Sequence, residues 1–289
     1  MTKEEILERV KFHAELRGLS KVTIEEYCSK AKMLQNHYDK PATELDITDI
    51  QNYLHYLKYE RKLASSSVNT YNSGIRFLFN VVLDMPLNLH KIPCQRKVRS
   101  FPDILSRDEV RSLFDACKNL RDRAMLMTAY GSGIRVSEVA ALKVSDIDSE
   151  NMQIFVRNGK GGKDRFAILS EENLKILRRY WKEYRPKEWL FQSISNNRRG
   201  KGCHISSRGV QEVLVYAKEK AGIAKKVNFH TLRHTFATHL LEDGVSIYVI
   251  KQLLGHADIS TTSFYCHLVK ISKMNVKSPL DKIQEDSDG

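Results

Sequence analysis

The segment NFHTLRHTFATHLL, Asn228 to Leu241, sets His230 and His234 four residues apart with Arg233 between them. On a helix that spacing puts two imidazoles on one face, the arrangement zinc hydrolases use. Arg233 shares the face of His230, and a permanent cation there opposes Zn²⁺. No Glu follows His230, so the general base of the zinc-protease motif is missing. A phosphate suits the set better. The guanidinium offers a planar fork of donors, and each imidazole adds one or two N–H groups matched to an oxyanion.

Three other stretches carry residues of the same chemical bent. In GSGIRVSEVAAL, Arg135 follows Gly131 and Gly133, with Glu138 three residues on. Such an arginine either clamps a phosphate from a rigid position or pairs with Glu138. In RNGKGGKDR, Lys160 and Lys163 stand among glycines. This turn has neither the Walker spacing nor a following helix, so it is not a nucleotide cradle; a solvated basic turn is the plain alternative. In IKQLLGHADISTTSFYCHL, His256 follows Gly255, and Tyr265 comes nine residues later among Ser260, Thr261, Thr262 and Ser263. That setting suits a mobile nucleophile, although a lone tyrosine is ordinarily a packed one. Tyr248, inside the apolar SIYVIKQLLGH, reads as packing.

The elements that must position these residues follow from periodicity. Residues 1–88 read as all helix, with starts at Thr2, Thr23, Thr48 and the serines Ser65 to Ser67. Residues 89–103 contain Pro93 and Pro102 and no periodicity, and read as a basic linker. From residue 104 to 289 the pattern is again mostly helical. SRDEVRSLFDAC is a capped helix, and RDRAMLMTAYGSGIR a long apolar one ending near Gly131 and Gly133. RVSEVAALKVSDI is a short helix running into a loop. MQIFV and RFAIL flank the lysine-bearing turn as a β-hairpin. The fold class is therefore mainly α with a small β-sheet (α+β), in two domains.

Composition narrows the function classes. The chain has 289 residues, 42% hydrophobic and 28% charged, enough for one large core or two. It lacks a run of about 18 apolar residues, and its acidic start, MTKEEILERV, has no apolar signal core. Its five cysteines are scattered and odd in number, as free thiols in a reducing cytosol would be. These points give a cytoplasmic expectation. The net charge of +12 is concentrated in two stretches: Lys91 to Arg99, without an acid, and Arg198 to Lys226, with eight bases against Glu212 and Glu219. A polyanionic partner or two solvated basic faces would each account for them.

Together, and in this order, GIRVSE, HTLRH and LLGHADISTTSFY resemble the tyrosine recombinase (phage integrase) family, across nearly the whole chain and at roughly Xer-protein size. The resemblance implies a catalytic set of Arg135, Lys160, His230, Arg233, His256 and Tyr265, with no metal and no cofactor. Ser132, where threonine is frequent, and Cys266 after the tyrosine are small departures outside that set. Tyr265 would attack a scissile phosphodiester to give a 3′-phosphotyrosyl link. Arg135 and Arg233 would hold the non-bridging oxygens and His256 would add a hydrogen bond. His230 would assist proton removal from Tyr265, and Lys160 would protonate the departing 5′-oxygen.

The family further implies a helical core-binding (SAM-like) domain and a catalytic domain closing as a C-shaped clamp on double-stranded DNA. Four protomers would assemble on two DNA sites, nucleoid-associated, with related recombinases or accessory DNA-binding proteins as possible partners. A type IB topoisomerase would use the same chemistry, and a non-catalytic DNA-binding regulator would need only the charge. Chromosome dimer resolution, integration and transposition share these motifs. The tail from Leu268 to Gly289, apolar along VKISKMNV and acidic at its end, reads as a segment docking on a neighbouring protomer.

Overall fold

Local hydrogen bonding decides where each helix starts. Thr2 and Glu5 form a capping box that opens α1 (Lys3–Leu16). Helix α2 (Lys21–Tyr38) is capped by Ser20, and α3 (Ile47–Tyr59) by Asp46 in a box with Asp49. Thr23 and Thr48, expected as caps, lie inside these first turns. The cap is the residue whose side chain reaches the free N–H two or three positions ahead, and Ser20 does this to Thr23 itself. Helix α4 (Ser65–Phe77) begins after Ala64 without a side-chain cap, so its serines are helical residues too, and a π turn, Leu78–Val82, extends it.

The computed structural model describes residues 1–88, 90–96, 101–157, 164–193 and 203–268. The chain divides into two compact units, Met1–Ser100 and Phe101–Gly289. The first packs α1 to α4 around Ile6, Leu34, Ile50, Leu57, Ile75 and Phe79. Part of the stretch read as linker is fastened to this unit. Ile92 is buried in its core. Arg76 donates to the Ile92 carbonyl at 2.6 Å, and Asn69 exchanges two hydrogen bonds with Gln95, at 2.9 and 2.7 Å.

The second unit starts with α5 (Arg107–Asp115), opened by a Ser106–Glu109 capping box, and α6 (Leu120–Ser132). Gly133, at φ +60°, ends α6 in the left-handed conformation that glycine adopts without strain. After the single turn of α7 (Val136–Ala140) comes an antiparallel sheet in the order β1 (Ile147–Asp148), β2 (Gln153–Val156), β3 (Arg165–Ile168). The expected hairpin is β2–β3, with Ile154 opposite Ala167 and Val156 opposite Arg165. Strand β1, two residues long, has too little alternation to be seen in sequence.

Helices α8 (Glu171–Tyr184), α9 (Ser207–Lys220), α10 (Phe229–Glu242), α11 (Ile247–Leu254) and α12 (Ser260–Ser263) complete the unit. Its main core includes Met125, Leu126, Ile154, Phe191, Leu214 and Leu232. A smaller cluster gathers Phe236, Ala237, Ile250 and Leu254 around Tyr265. Not every base expected on an open face is free: Lys225 pairs with Glu109 at 2.5 Å. Among the described residues no helix is long and apolar enough to cross a membrane. The hairpin tip, with Lys160 and Lys163, and the tail beyond Leu268 lie outside the described residues.

Candidate active site

Helix α10 is the central beam. Its cap, Asn228, accepts from the Thr231 N–H, and Phe229, Leu232 and Phe236 bury one side of it. Arg233 is buried with them, 3% exposed, although it carries a charge. Its guanidinium is held by two backbone carbonyls at helix ends, donating to Gly133 O at 2.7 Å and Leu254 O at 2.6 Å. Burial, and then the nearby Arg135, pull its pKa down to about 10, so it remains a cation at neutral pH.

Arg135 stands at the N-cap of α7 and, of its two sequence alternatives, makes the pairing with Glu138. The Arg135 backbone N–H donates to Glu138 Oε2 at 2.7 Å and the guanidinium to Oε1 at 2.8 Å. Arg165, on β3, grips the same carboxylate with two bonds, at 2.8 and 2.7 Å. Burial alone would raise the Glu138 carboxyl; the Arg165 bonds, the Arg135 backbone N–H and both positive charges outweigh it and hold it at about 2. Arg165 also meets the turn that carries His256. Gly255 adopts φ +64°, and a Cβ there would come within 2.6 Å of Arg165 Cδ.

These contacts yield a stability prediction. The Glu138 carboxyl is lowered, so its contribution is complete above about pH 4.5 and is lost as pH falls toward 2. Glu138→Ala leaves two half-buried guanidiniums without their counter-charge. It is expected to destabilise the second unit by about 3–5 kcal/mol, read as a lowered urea midpoint at neutral pH. An unchanged midpoint would show that water replaces the carboxylate there.

The histidines divide. His256 shares a 2.9 Å hydrogen bond through Nδ1 with the buried Thr262 hydroxyl, leaving Nε2 as its available nitrogen. Its ring stacks on that of Tyr265, with centroids 6.2 Å apart. Burial, then Arg233, Arg135 and Arg165, pull its pKa to about 4. His230, exposed near the start of α10, is lowered by partial burial and by Arg233 and Arg135.

Tyr265, in a 3₁₀ turn (Phe264–His267), is 2% exposed. Burial raises its pKa, with Arg233 and Arg135 pulling the other way. The partner of its hydroxyl is His234, whose Nδ1 lies 3.1 Å away. His230 was expected in that position; its ring is 6.3 Å from that of His234, centroid to centroid. The other tyrosine considered, Tyr248, does not pack as expected and stands 70% exposed on α11.

Five expected residues thus come together: Arg135, His230, Arg233, His256 and Tyr265 feel one another's charge or touch directly. The Phage integrase family domain matches residues 103–271, over half of the chain and including all five. The chain belongs to the phage integrase family.

It is a site-specific tyrosine recombinase, an enzyme that cleaves and rejoins DNA strands. Residues 6–89 match the N-terminal SAM-like domain of phage integrases. The tyrosine recombinase XerA of Pyrococcus horikoshii is 34% identical over 96% of this chain and 93% of its own length. A crystal structure of XerA recombinase aligns over 94% of this chain and 96% of that one, with a TM-score of 0.53 and 31% identity. XerH recombinase, in a post-cleavage complex with its palindromic difH substrate, shares the fold. Its TM-score is 0.69 at 20% identity, over 88% of this chain and 78% of that one.

Sequence reading left Arg165 of this recombinase's site out altogether and gave His234 only a place on the face of His230. Arg165 is an unremarkable first residue of a strand. Its pairing with Glu138 spans 27 residues and exists only when β3 lies beside α7. His234 had a signal, since it shares the helical face of His230, but its partner is 31 residues away.

Proposed function

We propose that Tyr265 is the nucleophile that opens one strand of double-stranded DNA, forming a 3′-phosphotyrosyl link and freeing a 5′-hydroxyl. The supporting observation is the buried Tyr265 hydroxyl, bonded to an imidazole beside the guanidinium of Arg233. A phenol with a raised pKa is a poor nucleophile, so attack depends on stabilising the charge that builds on phosphorus. Arg135 and Arg233 take the two non-bridging oxygens, with Nε2 of His256 and the ring of His230 adding donors. Arg233 needs no ordering for this task, because two carbonyls already hold it. Covalent capture conserves the phosphodiester energy, so rejoining to another 5′-hydroxyl needs no ATP.

In this reading the SAM-like and catalytic domains each contact the duplex, and four protomers on two sites exchange strands. The basic stretches follow the phosphate backbone of cytoplasmic DNA. A nicked suicide duplex tests the chemistry. The covalent adduct should form in excess EDTA, and peptide mapping should place the DNA on Tyr265. Loss of the adduct, restored by Mg²⁺ or Zn²⁺, would mean that a cation does the work assigned here to the arginines.

Lys160 completes the proposal as the general acid for the departing 5′-oxygen. Lys160→Ala is expected to slow cleavage about 10²–10⁴-fold. Losing any cation near a phosphate slows it too, so the discriminating substrate carries sulfur at the bridging 5′ position. A thiolate leaves without a proton, and Lys160→Ala should regain most of its rate there, while Arg135→Ala should gain far less. No recovery with sulfur would move the acid elsewhere, with Lys163 the next candidate.

A further inference from the structure

The reaction proposed above requires that the Tyr265 proton go somewhere, and the residue that meets it in this structure is not one of the expected set. The nucleophilic oxygen has two neighbours of consequence. Arg233 lies beside it but, as a permanent cation, cannot accept a proton. His234 can: its Nδ1 is 3.1 Å from the hydroxyl, and the rings stand 5.5 Å apart, centroid to centroid. Both side chains are held, Tyr265 in the cluster with Phe236 and Leu254, and His234 in the middle of α10, half-buried. The contact is thus part of the folded domain and does not depend on the hairpin tip.

We infer that His234 takes the Tyr265 proton during cleavage and returns it during rejoining. This rests on Tyr265 being the nucleophile. In cleavage the Tyr265 O–H bond breaks and an N–H bond forms at Nδ1 of His234, leaving an imidazolium. The tyrosyl oxygen bonds to phosphorus, the P–O5′ bond breaks, and the 5′-oxygen takes its proton from the general acid. Rejoining runs each transfer backward.

The surroundings fit such a relay. Burial, then His230 and Arg233, pull the His234 pKa to about 4, so at neutral pH its ring is uncharged, as an acceptor must be. The Arg233 charge also opposes the imidazolium. An anionic phosphodiester seated between Arg135 and Arg233 offsets their field and lets His234 become charged as the phosphorus centre gains negative charge. His230, exposed toward the start of the helix, is then free to serve the phosphate.

The test uses the full-length protein and His234→Asn, which keeps a short hydrogen-bonding side chain but cannot carry the proton. On the nicked suicide duplex this variant is expected to form adduct about 10²–10⁴-fold more slowly than wild type. The second measurement bypasses the tyrosine. A duplex end bearing a 3′-(4-nitrophenyl) phosphate is joined to a 5′-hydroxyl strand, and 4-nitrophenolate leaves without a proton. Here Tyr265→Phe with His234→Asn is expected to join as fast as Tyr265→Phe alone, which also certifies that the variant is folded.

Wild-type adduct formation by His234→Asn would overturn the inference. So would the same leaving-group-dependent pattern in His230→Asn and not in His234→Asn. Should His234→Asn lose joining as well, His234→Gln is scored identically. Loss of joining in both would show that the residue serves more than the tyrosine and also overturn it. An adduct that survives in Tyr265→Phe sinks the underlying assignment, whereas one lost there but undiminished in His234→Asn sinks only the role of His234.

Discussion

Tyr265→Phe is expected to abolish the covalent protein–DNA adduct completely while duplex binding stays at the wild-type level. The side chain is 2% exposed and packs among Phe236, Ala237, Ile250 and Leu254, and phenylalanine keeps all of that apolar contact. What disappears is one hydroxyl and its bond to His234, a loss of about 0.5–1.5 kcal/mol, too little to unfold a domain of this size. The comparison that matters is Tyr248→Phe. Tyr248 is the more accessible of the two, at 70% exposure, and accessibility alone would favour it. In the proposed assignment charge favours Tyr265 instead, since Arg233 and Arg135 act on it. Gel-resolved adducts on a suicide duplex, with a filter or mobility assay for binding, separate the two variants. An adduct kept by Tyr265→Phe and lost by Tyr248→Phe would reverse the assignment.

Arg233→Ala should be the most damaging substitution among the residues proposed to hold the phosphate, because two tasks would fall to this guanidinium. As a transition-state donor it is worth about 10²–10³ in rate, judged by the removal of comparable donors elsewhere. As a buried strut it satisfies Gly133 O and Leu254 O, at the ends of α6 and α11. Each carbonyl left unpaired costs about 1–3 kcal/mol. Cleavage and the urea midpoint should therefore fall together. Arg233→Lys should recover part of the stability but little of the rate, since one ammonium cannot span both carbonyls and still present a fork to phosphate. If Arg233→Ala cleaved slowly with an unchanged midpoint, the strut role would be wrong. A lowered midpoint with normal cleavage would remove Arg233 from the phosphate.

Much of this protein is settled by interactions within a few residues, and those could be read directly from the chain. Helix starts depend on a side chain reaching an N–H two or three positions away, so Thr2 and Ser106 could be named, and the misplaced starts at Thr23 and Thr48 missed by only two or three residues. The β2–β3 hairpin follows from alternation on both sides of a glycine-rich turn. The motif residues come in short blocks whose spacing survives folding, so Arg135, His230, Arg233, His256 and Tyr265 could be chosen without coordinates.

Tertiary structure decided the partners of those residues. Arg165 reaches Glu138 across 27 residues, Arg233 reaches Gly133 O across 100, and His234 meets Tyr265 across 31. None of these pairs leaves a periodic trace, because a hydrogen bond between distant segments constrains neither local φ and ψ nor the apolar pattern. Tyr248 makes the same point from the other side. An apolar helix predicted that it would be packed, but burial is set by which face meets a neighbour, and on α11 that face carries Ile250 and Leu254.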